Sequence, residues 1–211
     1  VLAADVSDAN SLRHLADSLK ASPDVIIHCA SSSRGGAEMY RQVYLRGCGN
    51  LIAAFPGSQL LFTSSSSVYP QTDGSVVTEE SDASPDRETS RLLRETEELV
   101  LSHEGCVARL AGIYGPSRWF VLKNYLEGTA SIEGNNGQGR CLNQIHREDA
   151  ASALLHLATA RLRGVFNVVD DAPITQRECF ERLSTRFHRP MPSVTEPDTG
   201  RKRAWTHKLV S

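Results

Sequence analysis

Lysine is scarce in this 211-residue chain, four against nineteen arginines, and the 23 cations face 25 carboxylates for a net charge of −2. A dedicated nucleic-acid binder needs a basic stripe or patch, so that class is excluded and a small-molecule partner fits better. The arginine excess favours planar, two-pronged contacts with carboxylate or phosphate, and a GC-rich genome would write the same bias. Cys29, Cys48, Cys106, Cys141 and Cys179 are widely spaced and form no Cys-x-x-Cys pair. That pattern excludes a disulfide framework and reads as reduced packing residues in a cytoplasmic protein. No histidine pair stands at ligand spacing from them, so no metal site is expected. Apolar runs never approach the roughly 20 residues that span a bilayer, and no signal-peptide pattern is present, so no membrane partner is expected. A Gly-x-Ser-x-Gly elbow is also missing, which argues against a serine hydrolase. The chain opens on Val1-Leu2-Ala3-Ala4-Asp5, without Met and at what reads as a strand end, as expected of a fragment.

Strands and helices alternate along the sequence. Leu12, Leu15, Ala16 and Leu19 recur at helical spacing after Asp8, which can cap the helix. Val25 to Ala30 is a short apolar run without alternation, as in a parallel strand covered on both faces. A helix over 37–55 turns Tyr40, Val43, Tyr44 and Leu51 inward, and Gln59 to Thr63 is the next strand. A third helix is predicted from Ser84-Pro85, with Leu92, Leu93, Thr96, Leu99 and Val100 on one side, then a strand over 106–111. The pattern loses its period from Gly115 to Gly139, turns helical over 148–161 and strand-like over 164–169. A final helix starts at Thr175, with Glu178 completing a capping box. This order implies an α/β fold, a doubly wound parallel sheet built from right-handed crossovers. Residues 1–116 form its core, 117–211 are mainly a small substrate lobe, and 145–170 return to the core.

In an open parallel sheet, ligands bind beyond the carboxyl ends of the strands, where loops and helix N-termini present free N–H groups. The loops there are Ser31 to Gly36, Ser64 to Ser67 and Gly112 to Pro116, all small, polar or glycine-containing. Such residues admit a flat cofactor or bind sugar hydroxyls; they are also ordinary loop formers.

Six ordered segments narrow the choice: Asp5-Val6, His28-Cys29-Ala30-Ser31, Thr63 to Tyr69, Arg109 to Pro116, Ile145 to Asp149 and Val165 to Val168. Together they resemble the extended short-chain dehydrogenase/reductases, the epimerase/dehydratase group, over nearly the whole chain. The resemblance implies a Rossmann-type domain lacking its first βαβ part and a cofactor, NAD or NADP, across the strand ends. Asp5 and Val6 would lie near the adenine, Ala30 and Ser31 beside the pyrophosphate or ribose, and Ala111 and Ile113 near the nicotinamide. Ser65 falls where the family hydrogen-bonds the reacting substrate oxygen, while Tyr69, Asn143 and His146 would face the substrate, a nucleotide sugar or similar polar metabolite. The alternative reading of His146, and the preferred one, is a satisfied structural histidine before a helix cap. Family members often form a homodimer through the helix after Gly36 and the one after Ser84.

Two family features are missing. No Tyr-x-x-x-Lys occurs anywhere; if Arg91 takes the Lys place, Arg87 takes the Tyr place. A guanidinium keeps its proton at ordinary pH, so Arg91 can bind ribose or phosphate and stabilise negative charge but cannot shuttle a proton. The segment is similar to the atypical subgroup, often labelled nucleoside-diphosphate-sugar epimerases, which also loses the pair. The Gly-x-x-Gly-x-x-Gly turn that seats the pyrophosphate is likewise not in the chain, which is expected to be cut at both ends. Two functions follow from the resemblance: an NAD(P)-dependent oxidoreductase or epimerase/dehydratase assisted by Ser65, or a non-catalytic NAD(P)-binding sensor or scaffold.

Overall fold

The structure, a computed structural model, describes residues 1–32, 35–134 and 137–195, together with the backbone of Lys208 and Leu209. Ser33 and Arg34 of the first loop, and the basic segment from Gly200 to Arg203, lie outside the described residues.

Helix α1 (Ala9–Ser18) starts where Asp8 accepts a hydrogen bond from the Asn10 N–H, as its sequence implies. Leu12 is its one fully buried residue, and Leu19 is exposed just beyond its end. After strand β1 (Val25–His28) comes one long helix in three parts: α2 (Ala37–Tyr40), a π-helical stretch over Arg41–Arg46, and α3 (Gly47–Ala54). Strand β2 (Gln59–Ser65) leads into a 3₁₀ turn over Ser66–Val68; then follow β3 (Val76–Val77), α4 (Glu88–Ser102) and β4 (Cys106–Leu110). The unpatterned middle is made of β5 (Gly112–Tyr114), α5 (Phe120–Leu126), β6 (Ser131–Glu133), β7 (Cys141–Leu142) and β8 (Gln144–His146). Helix α6 (Arg147–Thr159), β9 (Gly164–Val168), β10 (Ile174–Thr175), α7 (Gln176–Phe187) and β11 (Ser193–Thr195) complete the described order up to the short β12 (Lys208–Leu209).

The central sheet has four strands in the order β1-β2-β4-β9. Its β1/β2 and β2/β4 pairs are parallel, with Ile27 opposite Leu61 and Phe62 opposite Val107. Leu61, Phe62, Val107 and Ala108 are essentially inaccessible, so β2 and β4 are covered on both faces, whereas β1 is not: Ile27 is exposed and Val25 and Ile26 are half-buried, against the two-sided cover its apolar run implies. Helix α4 begins at Glu88, later than Ser84-Pro85 suggests, because the Ser84 hydroxyl turns to the Asp82 carboxylate (2.6 Å) instead of capping a helix.

The chain divides into two compact units. The first contains Val1–Tyr69, Asp82–Leu110 and Ala151–Phe166; the second contains Pro70–Ser81, Ala111–Ala150 and the described residues from Asn167. The first unit holds most of the sheet, and its core is Leu12, Leu51, Leu60, Leu61, Phe62, Leu92, Leu93, Val100 and Val107. In the second, Tyr125 stacks on Phe180 (5.8 Å between centroids) around the fully buried Ile132. The capping box of α7 is formed as the sequence implies, Thr175 accepting from the Glu178 N–H and Glu178 from the Thr175 N–H. Among the described residues no helix is long and apolar enough to cross a membrane, and no group of three His, Cys, Asp or Glu is placed to hold a metal ion.

Candidate functional site

In the first unit, the carboxyl ends of β1 and β2 lie side by side, His28 paired with Phe62. The Thr63 hydroxyl donates to the last carbonyl of β1, that of His28 (2.9 Å). The small residues Ala30 and Ser31, which follow β1, are both exposed. Ser65, half-buried, caps the 3₁₀ turn: its Oγ accepts from the Ser67 N–H at 3.1 Å. With that lone pair committed, the Ser65 O–H proton is available to donate to another oxygen. Helix α4 supports the turn from below, the Ser90 hydroxyl donating to the Ser67 hydroxyl at 3.4 Å.

Asp5 and Val6 stand at the turn before α1. Asp5 is exposed and one of its oxygens accepts from both the N–H and the hydroxyl of Ser7 (2.8 and 2.7 Å), which holds its carboxyl below the ordinary carboxylate range. Its other oxygen is left to accept from an amine or a ribose hydroxyl. The Val6 carbonyl is fixed by Asn50 Nδ2 at 3.0 Å, and Gly47 keeps the approach close: a Cβ there would sit 3.2 Å from Val6 Cγ2 and 3.4 Å from His28 Nε2. An ionised acceptor at Asp5 and the small side chains of Ala30 and Ser31 fit the nucleoside part of a dinucleotide. The glycine-rich turn that would seat its pyrophosphate is not in this chain.

Arg91 is exposed on α4, one turn after Arg87, with its backbone N–H bonded to the Arg87 carbonyl at 2.9 Å. A guanidinium so placed can meet an anionic or hydroxylated ligand but does not act as an acid or base at ordinary pH.

Tyr69 lies elsewhere than the substrate-facing place its sequence position implies. It is fully buried, and its hydroxyl accepts from Arg109 Nη1 at 2.8 Å while the guanidinium carbon sits 4.8 Å from the ring centre. The correction has a physical cause: a buried arginine needs acceptors, and the phenol supplies one.

That arginine belongs to a cluster the sequence reading missed. Glu97 of α4 is fully buried and accepts from the Ser64 hydroxyl (2.5 Å), from Arg109 Nε (3.1 Å) and Nη2 (2.8 Å), and from Arg94. Arg94 in turn reaches the exposed Glu98 at 3.5 Å. Burial works against the charge of Arg109, but the hydrogen bonds and charge of Glu97, with Tyr69, outweigh it and raise its pKa above the ordinary guanidinium value. The signal for this cluster was available: Glu97 interrupts the apolar stripe of α4, and Arg109 interrupts the apolar run of β4.

A second missed cluster lies behind the loop after β1. Tyr44 accepts from both the N–H and the hydroxyl of buried Ser32 (3.2 and 3.4 Å). Its ring meets Tyr40 edge-on at 5.0 Å and Phe62 at 5.9 Å. Burial pushes the Tyr40 phenol up from its ordinary value. His28 is buried against this group, Nε2 at 3.0 Å from the Val43 carbonyl in the π-helical stretch. A π turn displaces the regular carbonyl partners of a helix, so a side chain at that carbonyl helps satisfy it.

The remaining residues are in the second unit. Ala111 is buried, its N–H donating to the Val168 carbonyl (3.0 Å), and Ile113 is half-buried opposite Ile145 in the parallel β5/β8 pair. The Asn143 carbonyl accepts from the Gly112 N–H at 3.0 Å. His146 pairs in register with Tyr114, and the rings meet edge-on at 5.3 Å. Its Nδ1 lies 3.4 Å from the Glu148 N–H at the start of α6, which is the helix-capping role its position allows. Gly115 passes close by at φ +143°, where an added Cβ would lie 3.0 Å from His146 Nε2, so this turn is open only to glycine.

No curated protein sequence matches the chain at a significant level. Solved structures share its fold at low identity. ADP-L-glycero-D-manno-heptose-6-epimerase from Helicobacter pylori is 20% identical, with a TM-score of 0.77 over 99% of this chain and 70% of the epimerase. dTDP-glucose 4,6-dehydratase from Bacillus anthracis, in complex with NAD, is 19% identical, with a TM-score of 0.77 over 98% and 70%. RMD from Pseudomonas aeruginosa, complexed with NADPH, is 20% identical, with a TM-score of 0.74 over 99% and 76%. The sequence pattern of one family matches residues 1–168, four-fifths of the chain, so this protein belongs to the NAD dependent epimerase/dehydratase family.

Proposed function

We propose that the chain is an NAD(P)-dependent oxidoreductase of the epimerase/dehydratase type that acts on a nucleotide sugar or a similar polar metabolite. Family membership supports the dinucleotide, and the solved structures of like fold include enzymes of nucleotide-linked sugars. The observation that carries the reading to residues is Ser65, whose Oγ accepts from the Ser67 N–H at the end of β2 and keeps its own proton to donate.

Bound nicotinamide would supply hydride acceptance or donation. Around it, Asp5 accepts from the adenosine, Ala30 and Ser31 give the flat groups room, and Arg91 meets the ribose or a phosphate. Ala111 and Ile113 are assigned to the nicotinamide, and Asn143 and His146 to the substrate, by the family resemblance alone. Ser65 donates to the substrate oxygen whose carbonyl or alkoxide character changes in the reaction, and stabilises charge there. Arg91 at the Lys place and Arg87 at the Tyr place leave that helix without a proton shuttle, so the proton is exchanged by another group or by water. Two copies would pair through the helix of α2 and α3 and through α4.

The deciding experiment follows NADH and NADPH by absorbance while the protein is offered UDP-sugars, dTDP-sugars and ADP-sugars, with ligand-induced thermal shift run alongside. Cofactor-dependent turnover that Ser65→Ala lowers by roughly 10² supports the reading. Saturable binding of the dinucleotides without turnover of any sugar would replace it with a sensor or scaffold, and no binding at all would refute it.

A further inference from the structure

A single buried ion pair holds both ends of the segment that carries Ser65. At one end, the Ser64 hydroxyl donates to Glu97 at 2.5 Å; at the other, the Tyr69 hydroxyl accepts from Arg109 Nη1 at 2.8 Å. Glu97 and Arg109 are joined directly at 2.8 Å between Nη2 and Oε2, with Nε 3.1 Å from Oε1. Between the two anchors lie Ser65 and the one 3₁₀ turn over Ser66–Val68, closed by the Tyr69 N–H to Ser66 carbonyl bond of 3.2 Å. Strand pairing makes the same connection, since Ser64 stands opposite Arg109 and Ser65 opposite Leu110 in the β2/β4 register.

We infer that Glu97 and Arg109 are positioning residues for Ser65, acting through Ser64 and Tyr69 without touching the ligand; this rests on the role proposed above for Ser65. Packing alone does not account for the pair. Apolar residues of similar volume commonly replace a buried ion pair without loss of stability, and one documented use of such pairs is to fix a single arrangement. What is fixed here is the path between Ser64 and Tyr69, and hence the direction of one hydroxyl. A hydrogen-bond donor displaced by about 1 Å from a reacting oxygen forfeits on the order of 10²-fold in rate. With Glu97 fully buried and Arg109 nearly so, solvent ions screen the clamp far less than they screen an exposed pair.

The informative variant is Tyr69→Phe, which keeps the ring in the core and removes the acceptor for Arg109. Two measurements on the full chain decide the matter. Hydrogen–deuterium exchange should show amides over 66–69 exchanging at least tenfold faster in Tyr69→Phe, with β1 and α1 unchanged. Equal exchange in wild type and variant would overturn the clamp whether or not a substrate is known. With a sugar nucleotide from the panel above that is turned over, Tyr69→Phe should lower kcat at least tenfold with KM within twofold. The same change made in Ser65→Ala should then cost nothing further, because the residue it positions is gone. Additive losses would mean that the pair only stabilises the fold and would overturn the inference. A wild-type chain that neither binds dinucleotide nor turns over any sugar would refute the proposed function, leaving exchange to decide the clamp alone.

Discussion

Replacing Glu97 by glutamine removes one charge from the middle of the first unit and changes almost nothing in shape. Its cost can be worked from the neighbours. Arg109 has 3% of its side chain exposed and loses the partner of both Nε and Nη2. Arg94, with 24% exposed, can turn to Glu98 or to water, so its share is small. Stranding a buried charge by removing its partner costs about 3–5 kcal/mol. The glutamine oxygen retains one acceptor for Arg109 or Ser64, which places the expected loss near the lower limit, about 3 kcal/mol. Chains of this size lose about 2–4 °C of Tm per kcal/mol, so melting should fall by about 6–12 °C. Urea denaturation followed by far-ultraviolet circular dichroism would read the loss, with Glu98→Gln as the matched control. Glu98 is 69% exposed, and its pair with Arg94 is of the kind worth about 0–1 kcal/mol. The double variant Glu97→Leu with Arg109→Met should recover most of the stability, because it removes both charges together. If Glu97→Gln costs no more than Glu98→Gln, Arg109 is reaching water, and both the buried cluster and the positioning inference fall with it.

Three further outcomes are expected. Burial lowers the His28 pKa below its unfolded value of about 6.5, so the unfolded chain takes up a proton that the folded chain refuses. The stabilisation from neutral His28 is full above about pH 6.5 and is lost as pH falls from there through the lowered folded value. Urea midpoints should therefore decline below that pH more steeply in wild type than in His28→Leu, and equal slopes would remove His28 from the account. Thr175→Ala removes the hydroxyl that accepts from the Glu178 N–H but leaves the backbone N–H of residue 175 bonded to the Glu178 carboxylate, and should cost about 1 kcal/mol; a loss confined to a few tenths would show that Glu178 holds the helix end alone. Gly105→Ala places a Cβ 2.6 Å from the Leu60 carbonyl oxygen and 2.5 Å from Val100 Cγ1, so overpacking of about 1–3 kcal/mol is expected in the same denaturation assay.

Periodicity made the layers of this fold legible because parallel strands covered on both faces and amphipathic helices leave different apolar spacings. It was weaker at boundaries. The start of α4 was misplaced because Ser84 has the residue type of a cap while its hydroxyl goes to Asp82. The π-helical stretch over Arg41–Arg46 gave no sign, since Tyr40, Val43 and Tyr44 also satisfy an ordinary helical stripe and the distinguishing event is a carbonyl turned toward His28 on another element. Residues 115–139 show no period, yet they contain α5 and β6, elements of seven and three residues, too short to establish one.

The site divides by the range of the interactions that build it. Ser65 is named by the family resemblance, and the contact that holds its Oγ is local, the N–H of Ser67 two residues away. Tyr69 could not be assigned in the same way, because its surroundings depend on Arg109, forty positions along the chain. Glu97 and Arg109 form an intermediate case. Each is a charge where its own element's pattern calls for an apolar side chain, and a charge that leaves water must find an opposite charge or hydrogen bonds. Two such interruptions of opposite sign, on a helix and on the strand that follows it, therefore identify each other from the amino-acid pattern alone. What they cannot identify is the use of the pair, because Ser64 and Tyr69 are unexceptional residues until the β2/β4 register places Ser64 opposite Arg109. Pairing of charges is thus readable from sequence, whereas their function as a clamp follows from register.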